Sequence, residues 1–331
     1  MMDDFKQLME ISRGFWRSSV LFAGVMIGIF DSIDGEGKHL QEIVEELHLD
    51  RRGTEILLNA LASLGIIEKS GDLYRNNRLS SKYLVRSSRD YRGNIFMHSA
   101  DMWKAWGELE NAVRTGRPAE TYEEKFLQNE SRRVKNFILG MDQMAGELAD
   151  LLSESVEVKR AKRMLDAGGG PGTYCRYFIG KNPDLKATIL DLPLTLQVTE
   201  KLIREHGLEG KISTLEGDLL DADFGTGYDL VLLSQILHSF SPDQNRKIIG
   251  KAYRALMPGG AIMINEFALD EDKTAPADAA LFAVNMLVNT EGGAAYTVSE
   301  IESWLGEAGF QDISSRRLLE RVTNFTAARR V

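Results

Sequence analysis

Cysteine is nearly absent from this chain of 331 residues, where Cys175 stands alone. One thiol can form neither an internal disulfide nor a thiolate metal cluster, so the chain fits a reducing compartment, and a cytoplasmic location is expected. Long hydrophobic runs are also missing. The longest, Val20 to Phe30, holds two glycines and falls far short of the roughly 20 residues that a bilayer requires. It reads as a buried or interface helix, and no membrane partner is expected. The first residues, Met-Met-Asp-Asp-Phe-Lys, lack the basic start of a signal peptide. Positive charge is in short supply, with a net of −9. A nucleic-acid backbone wants a basic surface, so no nucleic-acid partner is expected. Histidines and acids do not cluster at ligand spacing, which argues against a metal site. Internal repeats and low-complexity segments are lacking too.

What remains is an ordinary globular composition, 43% hydrophobic and 27% charged, on a chain long enough for two domains without staples. Its character changes near residue 160. Before that point apolar residues recur every three or four positions. They predict helices over Asp3–Phe30, Leu40–Leu47 and Arg52–Leu64. Ile66–Arg75 reads as a hairpin around Ser70-Gly71-Asp72. Helix, turn, helix and hairpin outline a winged helix in residues 1–100. Residues 101–160 read as linking helices, through Met102–Arg114 and Glu123–Ser153. The boundary is placed in the polar stretch Glu157–Arg163, and 161–331 form the last domain.

There the pattern alternates. Strands are predicted at Arg163–Ala167, Ala187–Leu190, Ile212–Leu215, Leu230–Leu233 and Ala261–Asn265. Helices lie between them at Thr173–Gly180, Leu194–His206, Asn245–Leu256 and Val298–Ala308. Two further strands close the chain at Ile313–Leu319 and Thr323–Arg329. This is an α/β fold with a Rossmann-like parallel sheet.

Such sheets bind ligands at the carboxyl ends of their strands, where strand order reverses. The first strand runs straight from Asp166 into Gly168-Gly169-Gly170-Pro171-Gly172. These glycines permit close approach to the backbone, and the following helix turns its amides to the same crevice. A dinucleotide fingerprint would need a third glycine where Thr173 stands, which disfavours a nicotinamide-dependent oxidoreductase. The second strand ends in Asp191, 21 residues after Gly170, where a carboxylate can accept both ribose hydroxyls. The third ends in Gly217-Asp218-Leu219. An acid followed by an apolar side chain there can accept from an adenine amino group and cover its face. The fourth strand ends at Ser234, on the same ligand edge.

In combination these residues resemble the class I methyltransferases, and more narrowly the small-molecule O-methyltransferases of the caffeic acid and hydroxyindole type. The resemblance is carried by Leu165 to Gly172, Asp191-Leu192-Pro193, Gly217-Asp218, Ile236-Leu237-His238 and Met286 to Gly293. It extends over nearly the whole chain, including the winged-helix start and Phe137 to Met141. It implies S-adenosylmethionine as cofactor, held by Asp166, Gly168, Gly170, Gly172, Asp191, Asp218, Leu219 and Ser234. It also implies a small-molecule acceptor and an intertwined homodimer formed through the N-terminal domain. Residues 1–100 carry 13 Lys and Arg against 14 Asp and Glu, so dimerisation suits this domain better than DNA.

A phenol, with a pKa of about 10, is a poor nucleophile at neutral pH until a base removes its proton. His238 follows the fourth strand, and the resemblance assigns it that role. Glu266, at the end of the neighbouring strand, is expected to orient it. Two departures bear on this. Ser239 follows His238 where relatives carry an acid, and Ala295 replaces a second family glutamate. A carbon or nitrogen acceptor, or a regulator that binds the cofactor without catalysis, therefore stays open. Phe137, Met141 and Met144 share a helix face by spacing. With Trp103, Phe282, Asn285, Met286 and Asn289 they are candidates for an aromatic- and methionine-walled acceptor pocket.

Overall fold

The structure is a computed structural model describing residues 4–121, 131–319 and 322–329. The chain divides into two compact units, Met1–Trp103 and Lys104–Val331.

The first unit is mainly helical. Helices Asp4–Ser12, Gly14–Ile27, Ile29–Ser32, Leu40–Leu47 and Arg51–Ser63 accompany a small antiparallel sheet. Its strands are β1 (Lys38–His39), β2 (Ile67–Ser70) and β3 (Leu73–Asn76), in the order β1-β3-β2. The expected hairpin is present, with a third strand that two residues were too few to announce. Asp50 caps the helix Arg51–Ser63 by accepting the Gly53 amide at 2.7 Å, satisfying one of the donors that a helix start leaves open. The core gathers Val25, Ile29, Phe30, Ile43, Leu58, Leu61 and Tyr74. Much of the apolar run Val20–Phe30 is therefore covered by its own unit. Within the run Met26 and Ile27 stay exposed, and a further exposed apolar row lies earlier, at Phe5, Leu8, Ile11, Phe15 and Trp16.

The second unit is built on seven strands: β4 (Arg163–Ala167), β5 (Lys186–Asp191), β6 (Ile212–Glu216), β7 (Tyr228–Ser234), β8 (Leu256–Glu266), β9 (Phe310–Leu319) and β10 (Val322–Arg329). Their order is β6-β5-β4-β7-β8-β10-β9. The first five are parallel, and β10 runs antiparallel to both β8 and β9. Because β4 pairs with both β5 and β7, the direction of winding reverses at β4. That reversal opens a crevice beyond its carboxyl end.

Successive strand residues feed opposite layers, as a two-residue period requires. Leu165, Ala167, Val231 and Leu233 pack under helices Pro242–Ala255 and Val298–Glu307. Met164, Leu230, Leu232 and Met263 pack against helices Ser131–Ser153, Thr173–Lys181 and Pro193–Glu205. With both faces covered, the central strands read as nearly unbroken apolar runs. Leu256–Gly260, expected partly as helix end, joins β8 instead. The linking helix expected over Met102–Arg114 is two, Trp103–Gly107 and Leu109–Thr115. That expected from Glu123 is described from Ser131, and 123–130 lie outside the described residues. No helix among the described residues is long and apolar enough to cross a membrane.

Candidate active site

The glycine loop leaves β4 and bends over the end of the sheet. Gly168 has φ +77°, and a Cβ there would stand 2.2 Å from Ile236 Cδ1 and 3.4 Å from Leu219 Cδ1. At Gly172, φ +74°, a Cβ would meet Ile189 Cδ1 at 2.7 Å. Both positions need left-handed backbone and empty space together, and only glycine supplies both. The loop is pinned from the next strand. Asp191, at the end of β5, accepts the Gly170 amide at 2.8 Å through Oδ2 and the Leu192 amide at 2.7 Å through Oδ1. Burial raises this carboxyl above the usual range, against the stabilising bonds from Gly170, Leu192 and Thr195. Three of the four lone-pair positions are thereby used, and one acceptor position remains for a ligand.

Asp166 lies beneath this loop rather than on its surface. It is 0% exposed, and a Cβ on Gly169 would come within 2.6 Å of its Cγ. Oδ2 accepts from the Cys175 thiol at 3.3 Å, while Oδ1 has no partner among the described residues. Burial pushes this carboxyl up to about 7 and raises the Cys175 thiol as well. Asp218 follows β6 and spends Oδ1 on the Leu220 amide at 2.7 Å. Leu219 is buried against the sheet. Ser234, at the end of β7, accepts from Asn265 Nδ2 at 3.2 Å and is bonded to the buried Tyr174 hydroxyl.

On the other side of the crevice β7 ends in a tight turn. Gln235 takes φ +57°, and a 3-10 turn at Leu237–Ser239 carries His238. Glu266 at the end of β8 organises it. Oε1 accepts the Ile236 and Leu237 amides, each at 2.7 Å, and Oε2 meets His238 Nδ1 at 2.9 Å. His238 is 9% exposed and Glu266 3%, so water competes weakly for the pair. A carboxylate facing Nδ1 selects the tautomer protonated there. Nε2 then keeps its lone pair, and among the described residues nothing bonds to it. The Phe282 ring stands edge-on to the imidazole, 4.7 Å between centroids. No second acid joins them at position 295, where Ala295 is buried among Leu269 and Ala279.

Helix Ala277–Asn289 brings Phe282, Asn285, Met286 and Asn289 to this side. Trp106 Nε1 donates to Asn285 Oδ1 at 3.0 Å, and Asn289 Nδ2 donates to the same oxygen at 3.0 Å. An indole nitrogen can only donate, which fixes which end of the Asn285 amide is oxygen. Asn285 Nδ2 has no partner among the described residues. Phe137 and Met141 are partly buried on helix Ser131–Ser153, but Met144 is 55% exposed. Trp103 belongs to the first unit, is 48% exposed and packs on Phe15, with ring centroids 5.9 Å apart. Neither shows the cover expected of a pocket wall.

Sequence reasoning missed three features: Trp106, Lys251, and a polar link between helices. In that link Asp142 accepts from Thr173 Oγ1 and, at 2.7 Å, from Arg176. It ties helix Ser131–Ser153 to the helix that follows the glycine loop. Among the described residues no group of acids, histidines and cysteine could hold a metal ion.

Comparison with known proteins adds to this geometry. The profile of an O-methyltransferase domain matches residues 106–311, and that of an O-methyltransferase dimerisation domain matches residues 9–86. A 3-hydroxy-5-methyl-1-naphthoate 3-O-methyltransferase of Streptomyces sahachiroi is 32% identical over 324 residues, covering 97% of this chain and 94% of its own. Acetylserotonin O-methyltransferase of Gallus gallus is 30% identical over 334 residues, with coverages of 95% and 94%. Among solved structures, an O-methyltransferase family protein from Burkholderia thailandensis aligns with a TM-score of 0.91 at 31% identity, covering 100% of this chain and 99% of its own. Human N-acetylserotonin methyltransferase, solved in complex with S-adenosylmethionine, aligns with a TM-score of 0.88 at 25% identity, with the same coverages.

Proposed function

Because the chain belongs to the O-methyltransferase family, we propose that it methylates a hydroxyl of an aromatic or polyketide-like small molecule, with S-adenosylmethionine as donor and His238 as general base. S-adenosylmethionine supplies an electrophilic methyl group whose bond to sulfur breaks as the bond to oxygen forms. The glycine loop suits it: Gly168 and Gly172 leave no room for side chains against Ile236, Leu219 and Ile189, which keeps the backbone close to the sheet, and Gly170 faces open space. Backbone at Gly168, Gly170 and Gly172 would hold its amino-acid end, and the remaining lone pair of Asp191 its ribose. Asp218, Leu219 and Ser234 would hold the adenosine. Asp166 supports the loop from below.

The observation that carries the reading is the His238–Glu266 pair. Its 2.9 Å bond leaves Nε2 as a free base in a poorly hydrated turn. The acceptor hydroxyl gives its proton to Nε2, and the imidazolium that forms is stabilised by the Glu266 carboxylate. One acid suffices in this arrangement, because Glu266 fixes both the ring and the turn beneath it. Asn285 Nδ2 is left to donate, so it favours acceptors with a carbonyl or carboxylate near the reacting hydroxyl. Phe282 and Met286 offer flat apolar contact. The N-terminal unit serves to form a homodimer, for which the exposed row Phe5, Leu8, Ile11, Phe15 and Trp16 is suited.

The test is transfer of labelled methyl from S-adenosylmethionine to a panel of hydroxynaphthoates and hydroxyindoles. Turnover in the wild type and its loss in His238→Ala, with cofactor binding intact, supports the reading. Wild-type rates in His238→Ala would remove the base.

A further inference from the structure

Beyond β6 the chain doubles back on itself. The Asp218 carbonyl accepts the Ala222 amide at 2.7 Å and the Asp221 amide at 3.2 Å. At Gly217 a Cβ would press to 2.6 Å from the Ala222 Cβ, so the fold-back is as tight as it can be. The carbonyls of Leu219, Leu220 and Ala222 are thereby turned toward one point. Lys251 Nζ, from helix Pro242–Ala255, occupies that point and donates to them at 2.9, 2.6 and 2.9 Å. An ammonium has three N–H donors, and all are spent here. Among the described residues no carboxylate pairs with Lys251. The Phe224 ring closes its surroundings, 5.5 Å from Nζ to the ring centroid. Three carbonyl dipoles with their negative ends together repel one another, and a cation among them turns that repulsion into attraction.

We propose that Lys251 is a positioning residue for cofactor recognition. It fixes the Gly217–Ala222 turn so that the Asp218 oxygen left unbonded by Leu220 is aimed at the 6-amino group of adenine, with Leu219 against the ring. This rests on the placement of adenine at Asp218 and Leu219 proposed above. Methionine in place of Lys251 keeps the apolar stem, one atom shorter, but leaves three carbonyls without their cation. The turn then relaxes, and the aim of Asp218 is lost.

The experiment is calorimetric titration of the full chain with S-adenosylhomocysteine and with S-inosylhomocysteine, in which an oxygen replaces the 6-amino group. The wild type is expected to prefer the adenine ligand by about 30-fold. In Lys251→Met the affinity for S-adenosylhomocysteine falls about 20-fold, and the preference shrinks to about 3-fold or less. Unchanged affinities overturn the proposal. So does an equal weakening of both ligands with the preference intact, which is what a merely structural role would give. A wild type that binds both ligands alike overturns the adenine placement itself, before any variant is made. If Lys251→Met does not fold, Lys251→Arg carries the test. A planar guanidinium cannot address three carbonyls that converge on a point, so the preference falls about 3-fold. An undiminished preference in Lys251→Arg counts against the proposal.

Discussion

The two sides of the crevice are made of different materials. On the β4–β5 side the working parts are backbone: a glycine loop, the helix start behind it, and Asp191 bonded to the Gly170 and Leu192 amides. On the β7–β8 side they are side chains that meet across long stretches of chain. Glu266 reaches His238 from 28 residues away, and Trp106 meets Asn285 from 179. A backbone site depends on conformation and is broken by adding atoms. A side-chain site depends on partners and is broken by removing them. Under the proposed function the first would grip a constant ligand, and the second would leave room for the acceptor to differ.

The sharpest way to separate the two sides is His238→Ala. It should lower kcat by about 10²-fold or more while calorimetry shows S-adenosylhomocysteine binding unchanged. A parallel loss of affinity would mean that the two sides are one. Asp191→Ala is the converse. It should weaken S-adenosylhomocysteine by about 30-fold and leave the acceptor KM nearly constant in steady-state assays. A smaller effect is expected from Trp106→Phe, which keeps a smaller aromatic ring but deletes the donor to Asn285. Acceptor KM should rise by about 5-fold, with cofactor affinity unmoved.

The smallest is seen in stability. Burial raises the Asp166 carboxyl to about 7, above its unfolded value near 3.8. The folded chain therefore holds a proton that the unfolded chain releases. The stability tied to that proton is complete below about pH 4 and is lost as pH rises through about 7. Asp166→Asn cannot ionise, so its Tm relative to wild type should climb between pH 5 and pH 8, by roughly 4 °C. Thermal melts of the two proteins without ligand, at both pH values, make the comparison. A constant difference would show that Asp166 does not titrate in this range.

Much of this was legible in the sequence because it is local. A strand of the sheet announces itself as an apolar run, and Asp166, Asp191 and Asp218 mark where three of them end. His238 and Glu266 were marked by the family resemblance, the one in the turn after β7 and the other at the last residue of β8. What escaped was set by distance or brevity. Lys38–His39 is too short to carry a period. Nothing near Trp106 points to Asn285, and nothing near Lys251 points to the carbonyls of Leu219, Leu220 and Ala222. Met144 and Trp103 are each about half exposed. Helical spacing gathers residues onto a face, but it does not say whether anything covers that face.

Glu266 holds the turn that carries His238 by the amides of Ile236 and Leu237, not by their side chains. The side chains of the same two residues are spent elsewhere: Leu237 is fully buried in the core, and Ile236 packs on that core beneath Gly168. The turn is thus clasped twice, through its amides by Glu266 and through its side chains by the core, and the imidazole inherits both constraints.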